Sequence, residues 1–161
     1  MTLEFSTSDP DATGRAGALL GPLLVPGDVV ALAGDLGAGK TRLVKGVAHG
    51  LGVDGPVTSP TFNLLVVHPG TLPLYHFDLY RLEHEAELED IGFYETIEGD
   101  GASFVEWGDR FPASLPADRL LVVVHRAGDQ ERRFELVPSG RRAGDLAAAW
   151  LAAVREDGAP R

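Results

Sequence analysis

Gly34, Gly39, Lys40 and Thr41 stand in the stretch "GDLGAGKT" at the spacing G-x-x-x-x-G-K-[ST], and the chemistry of that spacing is phosphate capture. Glycines at positions 37 and 39 allow backbone conformations that a Cβ would penalise, so successive N–H groups can converge on phosphate oxygens. Lys40 supplies a mobile cation for the terminal phosphates. Thr41 offers a hydroxyl to a magnesium ion, and a helix starting here turns its positive end toward the anion. Glycine-rich turns also join strands to helices without holding any ligand, so the flanks decide. Before the loop runs the apolar stretch Val29 to Ala33, and after it Leu43, Val47 and Leu51 recur at four-residue spacing. Strand before and helix after make a nucleoside triphosphate the expected ligand.

Such a loop works with a second carboxylate at the end of a neighbouring buried strand. Asp78 ends the segment "PLYHFD" and Glu106 ends "ASFVE", so both are candidates at the strand ends where open α/β sheets bind ligands. Either could instead cap a turn. His76, two residues before Asp78, shares its face of a strand; with no second histidine at ligand spacing, a plain sheet histidine is preferred over a metal ligand. Trp107 is left open as a core or rim aromatic or a cover for the nucleotide. "VTSPTFNL" places Thr58, Ser59 and Thr61 in a proline-stiffened loop where a switch threonine could meet the metal, or where an ordinary hydroxyl-rich turn could stand. No guanine-reading Asn-Lys-x-Asp run occurs, which favours ATP over GTP.

The elements that must position these groups read as a mixture of strands and helices. Leu3 to Ser6 alternates like a strand, and a helix follows with a hydroxyl or Asp cap before Pro10. Segments "TFNLLVVH" and "LPLYHFDLY" read as two strands, "EHEAELEDIGF" as an acidic helix and "ASFVEW" as a short buried strand. "RLLVVVHR" and "RRFELVP" read as a hairpin, and "AGDLAAAWLAAV" as a closing helix. A purely parallel sheet needs long helical crossovers, and the middle of the chain lacks them. The expected fold is therefore α/β: a single P-loop NTPase-like domain over residues 1–155, with a mixed, partly antiparallel central sheet flanked by helices and a frayed tail at 156–161.

Composition sets the outer limits. The chain of 161 residues carries 14 Lys and Arg against 24 Asp and Glu, a formal net charge of -10, which argues against direct, non-specific contact of the isolated chain with RNA or DNA. Without cysteine there is neither a disulfide framework nor a thiolate zinc site, and no membrane-length apolar run or secretory leader is visible. A cytoplasmic protein is expected. The acidic helix is a candidate partner-facing surface, or simply a solvated face.

Taken together, "GDLGAGKT", "VTSPTF", "LYHFDLYRLE", "ELEDIGFYE" and "FVEWGDR" occur in the order and spacing of the bacterial TsaE family, which the chain resembles from Leu3 to Pro138. The resemblance implies a small ATPase that associates with the TsaB–TsaD complex in the synthesis of tRNA threonylcarbamoyladenosine, binding Mg-ATP and hydrolysing it slowly alone, while the modification chemistry occurs on TsaD. It implies nucleotide contacts from Asp35, Leu36, Gly37, Ala38, Gly39, Lys40, Thr41 and Arg42, with Thr41 and Glu106 on the Mg2+ side. Lys40, Asp78 and Glu106 would be the catalytic groups, with Asp78 in a switch-like segment and Thr61 in a loop resembling a first switch. Arg42 departs from the family, which often has a second hydroxyl there, so an α-phosphate contact would fall to the backbone N–H. Arg132 or Arg133 resembles a basic position near the nucleotide; adjacent strand residues point to opposite faces, so one of them reaches the site, and Arg132 is the choice. Two other readings of the loop remain: a kinase for a small metabolite, and a non-catalytic ATP-dependent switch.

Overall fold

A computed structural model describes residues 3–35, 37–57, 60 and 64–158. Seven strands form one sheet: β1 (Leu3–Thr7), β2 (Val29–Ala33), β3 (Leu65–His68), β4 (Leu74–Asp78), β5 (Ala102–Glu106), β6 (Arg119–Arg126) and β7 (Arg132–Ser139). Their spatial order is β1-β7-β6-β2-β5-β4-β3. The four central strands run parallel, while β3 and the β1–β7 edge join antiparallel. The mixed sheet expected from the short connections is what forms. Strands β2 and β5 are buried along their whole length, β2 as an unbroken apolar run and β5 with Ser103 and Glu106 buried among its apolar residues.

Three helices, α1 (Pro10–Leu20), α2 (Lys40–Gly50) and α5 (Arg141–Glu156), share the main core with one face of the sheet. Asp9 caps α1, its side chain accepting a hydrogen bond from the Ala12 N–H at 2.8 Å ahead of Pro10 in the first turn. Gly21 and Pro22 then tighten the chain into a 3₁₀ turn. In α5 the residues Ala143, Leu146, Ala147, Trp150, Leu151 and Val154 make the buried stripe. Its start is capped from outside, by Asp118 accepting from the Arg142 and Ala143 N–H groups, while the Arg142 guanidinium grips buried Asp28 at 2.8 Å. The helix runs through Glu156, Asp157 and Gly158 form a turn, and the rest of the expected tail lies outside the described residues.

A smaller core on the other face of the sheet joins Val29, Phe77 and Val105 to Leu88, Phe93 and Ile97. Here the single acidic helix expected from the sequence forms as two short pieces, α3 (Glu87–Asp90) and α4 (Phe93–Ile97). Gly92 between them has φ +68°, a left-handed conformation that ends one helix and redirects the chain. The strand expected from Thr61 begins at Leu65, and Thr61 to Asn63 lie outside the described residues.

The contact that fixes α2 is a backbone approach to α1. A Cβ on Gly46 would fall 2.2 Å from the Gly14 carbonyl oxygen, and one on Gly50 2.3 Å from that of Ala18. Only glycine permits this spacing. By contrast, a Cβ on Gly144 in α5 meets nothing within 4 Å. Gly46→Ala is expected to lower unfolding free energy by about 2 kcal/mol through forced separation of the helices, whereas Gly144→Ala raises it by about 0.5–1 kcal/mol. Urea titration of the two variants checks both signs.

Candidate functional site

The C-terminal ends of β2, β4 and β5 converge on the start of α2, and the candidate residues lie there. Between β2 and α2 the chain turns through Gly37 at φ +77° and Gly39 at φ +109°, conformations that suit glycine, and Gly39 occupies the cap position of α2. Within the described part of the loop the backbone thus carries the alternation expected of an anion cradle, with the helix N-terminus behind it. Leu36 lies outside the described residues, as do Thr58, Ser59 and Thr61 of the switch-like loop. Asp35 is exposed at the loop's entrance and Ala38 is buried beneath it.

Lys40 is almost fully buried. Its ammonium donates to the Gly34 carbonyl oxygen and stands 3.5 Å from the centroid of the Trp107 ring. Burial pulls its pKa below the ordinary lysine value, opposed by the carboxylates of Glu106, Asp78, Asp109 and Asp35. Trp107 takes φ +60°, unusual for a residue of this size, and its backbone N–H donates to the Leu32 carbonyl at 2.9 Å. Its ring packs 5.0 Å from Tyr80. The structure places it at the rim of the cleft with the lysine ammonium against its ring.

Thr41 Oγ1 lies 3.2 Å from each oxygen of Glu106, so the first turn of α2 and the end of β5 meet through a hydroxyl and a carboxylate. Asp78 is the register partner of Glu106 across the β4–β5 pair. Both strand-end candidates therefore line one cleft of about 490 Å³ with Gly37, Gly39, Lys40 and Thr41. Burial holds the Asp78 carboxyl above its usual range; the Tyr80 N–H donated to it at 3.0 Å and nearby Lys40 act against that, and Glu106 adds to it.

His76 is fully buried on β4, with Nε2 2.5 Å from Glu106 Oε2. Preferred from the sequence as a plain sheet histidine, it is in direct contact with a site carboxylate. No group of three or more His, Asp or Glu residues arranged for a metal occurs among the described residues. The signal that could have singled it out was its position: a polar residue inside "PLYHFD", one pleat before a candidate carboxylate.

The paired arginines separate as the strand alternation requires. Arg132 faces the loop, donating from Nε to the Ala38 carbonyl at 2.8 Å and from its other nitrogens to Gly37, Gly128, Asp129 and Glu131 carbonyls. It ties the β6–β7 turn to the phosphate loop. Arg133 points away and pairs with Glu4 at 3.1 Å. Arg42 turns out of the site toward α1, donating to the Pro10 carbonyl and to Asp11, each at 3.1 Å.

A mixed sheet with a glycine-rich strand-to-helix loop at the carboxyl ends of its central strands defines a P-loop NTPase-like α/β domain. The family model described as "Threonylcarbamoyl adenosine biosynthesis protein TsaE" matches residues 7–134, and the chain belongs to the TsaE family, which takes part in tRNA threonylcarbamoyladenosine biosynthesis. The tRNA threonylcarbamoyladenosine biosynthesis protein TsaE of Bacillus subtilis (strain 168) is 44% identical over 141 residues, 87% of this chain and 88% of its own length. Its namesake in Treponema pallidum is 45% identical over 122 residues, 76% and 90% of the two chains. That of Nostoc sp. is 40% identical over 157 residues, 92% and 96% of the two. A crystal structure of Bacillus subtilis YdiB superposes with a TM-score of 0.81 at 37% identity, covering 98% of this chain and 97% of that one. The family expected from the motifs is borne out.

The raised pKa of Asp78 has a consequence for stability. Its charged form is disfavoured in the fold, so above the folded pKa the ionised carboxylate destabilises the protein. As pH falls through that pKa the carboxyl takes a proton and the destabilisation fades; below the unfolded pKa it is gone. Asp78→Asn keeps an acceptor for the Tyr80 N–H and removes the charge. Thermal melts are expected to show the variant more stable than wild type at pH 7 and equal to it at pH 3; a less stable variant at pH 7 would overturn this reading of the site.

Proposed function

We propose that this chain is a magnesium-dependent ATPase that supports tRNA threonylcarbamoyladenosine synthesis through association with a TsaB–TsaD complex. The observation that carries the reading is the meeting of Thr41 Oγ1 with both Glu106 oxygens at 3.2 Å, directly below the phosphate loop and beside Asp78. A hydroxyl and buried carboxylates are hard oxygen donors, few enough to leave positions for water and phosphate oxygens, which suits magnesium. Thr41 and Glu106 would hold the ion, whose contribution is to neutralise charge on the transferred phosphoryl group.

The chain's own groups divide the remaining tasks. The loop N–H groups and the end of α2 receive the phosphates, with Lys40 released from the Gly34 carbonyl to meet them. Asp78 or Glu106 orients a water for in-line attack on the γ-phosphate. Arg132, committed to loop and turn carbonyls, braces the cradle and is poorly placed to act as an arginine finger. Slow hydrolysis by the isolated chain follows, with the partner complex supplying or ordering the missing group. The formal net charge of -10 suits protein partners better than naked RNA. None of the described helices is long and apolar enough to cross a membrane.

The test is magnesium-dependent phosphate release from ATP, by the chain alone and mixed with its cognate TsaB–TsaD complex. Release that rises on mixing is expected, and Lys40→Ala or Glu106→Gln should each lower it by about 100-fold or more with the melting transition retained. Wild-type turnover in either variant, or no phosphate under either condition, overturns the proposal. A phosphorylated small molecule in place of free phosphate would identify a kinase.

A further inference from the structure

His76 and Glu106 lie on neighbouring parallel strands, where His76 pairs with Phe104 and Asp78 with Glu106. The histidine is therefore one pleat behind the carboxylate on the same face of the sheet, diagonal to it, and reaches it with Nε2 at 2.5 Å. Neither side chain has appreciable contact with water. An ionised carboxylate only accepts hydrogen bonds, so Nε2 carries the proton. Nδ1 is buried with no hydrogen-bond partner among the described residues, which leaves the bond to Glu106 as the one polar contact of the ring. A neighbouring ring, His68, lies 6.4 Å away and tilted, and its own Nε2 is likewise unpartnered.

Placing an imidazole here costs more than placing a leucine, because one ring nitrogen is desolvated without compensation. Packing alone gives no reason for the choice. The bond to Glu106 does give one. Oε2 is held by His76 and Thr41, whereas Oε1 is held by Thr41 alone, so the two carboxylate oxygens are made unequal. We propose that His76 is a positioning residue, which locks the Glu106 carboxylate in the single orientation that presents Oε1 toward a cation held at Thr41. Residues behind a metal ligand that fix its orientation in this way commonly contribute about 10–100-fold to metal affinity. This inference rests on the magnesium-ATPase reading and deepens it.

The experiment compares wild type with His76→Leu and His76→Gln. Glutamine retains an N–H donor at similar reach, and leucine fills the space without one. A fluorescent ATP analogue is titrated at increasing magnesium, and once without it. The expected result is unchanged affinity in the absence of magnesium, a magnesium requirement about tenfold or more higher in His76→Leu, and recovery of most of that loss in His76→Gln. Equal magnesium dependence in wild type and His76→Leu overturns the proposal while leaving the ATPase reading intact. Wild-type binding that ignores magnesium overturns both. If His76→Leu fails to fold, ¹⁵N spectra of the wild-type imidazole decide: a proton on Nε2 whose signal moves in Glu106→Gln supports the lock, and a proton on Nδ1 alone overturns it.

Discussion

The backbone contact between α1 and α2 sets where everything at the site can stand. Gly46 and Gly50 press against the carbonyls of Gly14 and Ala18, so the axis of α2 is fixed by main chain and not by side chains that could repack. The first turn of that helix contains Lys40 and Thr41. A displacement of α2 by the width of a methyl group would therefore open the 3.2 Å contact between Thr41 and Glu106 on the opposite side. The fully buried strands β2 and β5 supply the other wall. The loop that joins β2 to α2 is thus anchored at both ends, by a buried strand and by a helix packed backbone to backbone.

Charge is concentrated in the same place against the preference of a protein interior. Lys40 and Glu106 are nearly inaccessible to water, and Asp78 is half-buried beside them. Burial disfavours the charged forms of Lys40 and Asp78 alike, and the pKa displacements of both have burial as their leading cause. The backbone is also held away from its preferred conformations, with Trp107 in the left-handed region directly after Glu106. Such features lower the stability of the fold. They persist because the surrounding strands and α2 over-determine the geometry.

The sequence made the local part of this arrangement readable and left the non-local part hidden. The glycine-rich loop spans eight consecutive residues between an apolar run and a helical stripe, so its flanking strand and helix and its glycine turns could be read together. Parallel pairing placed Asp78 and Glu106 side by side, as two strand ends allowed but did not require. The acidic segment was read as one helix because its charges hide the left-handed Gly92 that divides it. The alternation rule separated Arg132 from Arg133, yet it could not say that Arg132 would give its hydrogen bonds to carbonyls of the loop. His76 escaped for the same reason: its partner is 30 residues away, and only strand register brings them together.

Before any ligand binds, the opposing charges of the cleft answer one another. Lys40 is attracted by Glu106, Asp78, Asp109 and Asp35, and its ammonium is occupied by the Gly34 carbonyl and the Trp107 ring. A triphosphate entering alone would draw Lys40 away from those acids and lie against Glu106 and Asp78, leaving like charges facing each other in a poorly solvated cleft. A cation entering alone would be repelled by Lys40. The two arriving together keep both sets of charges compensated, phosphate against Lys40 and the helix end, carboxylate and Thr41 against the cation. On the magnesium-ATPase reading proposed above, nucleotide and cation would thus be coupled through the chain's own buried lysine, the more strongly as the cleft excludes water.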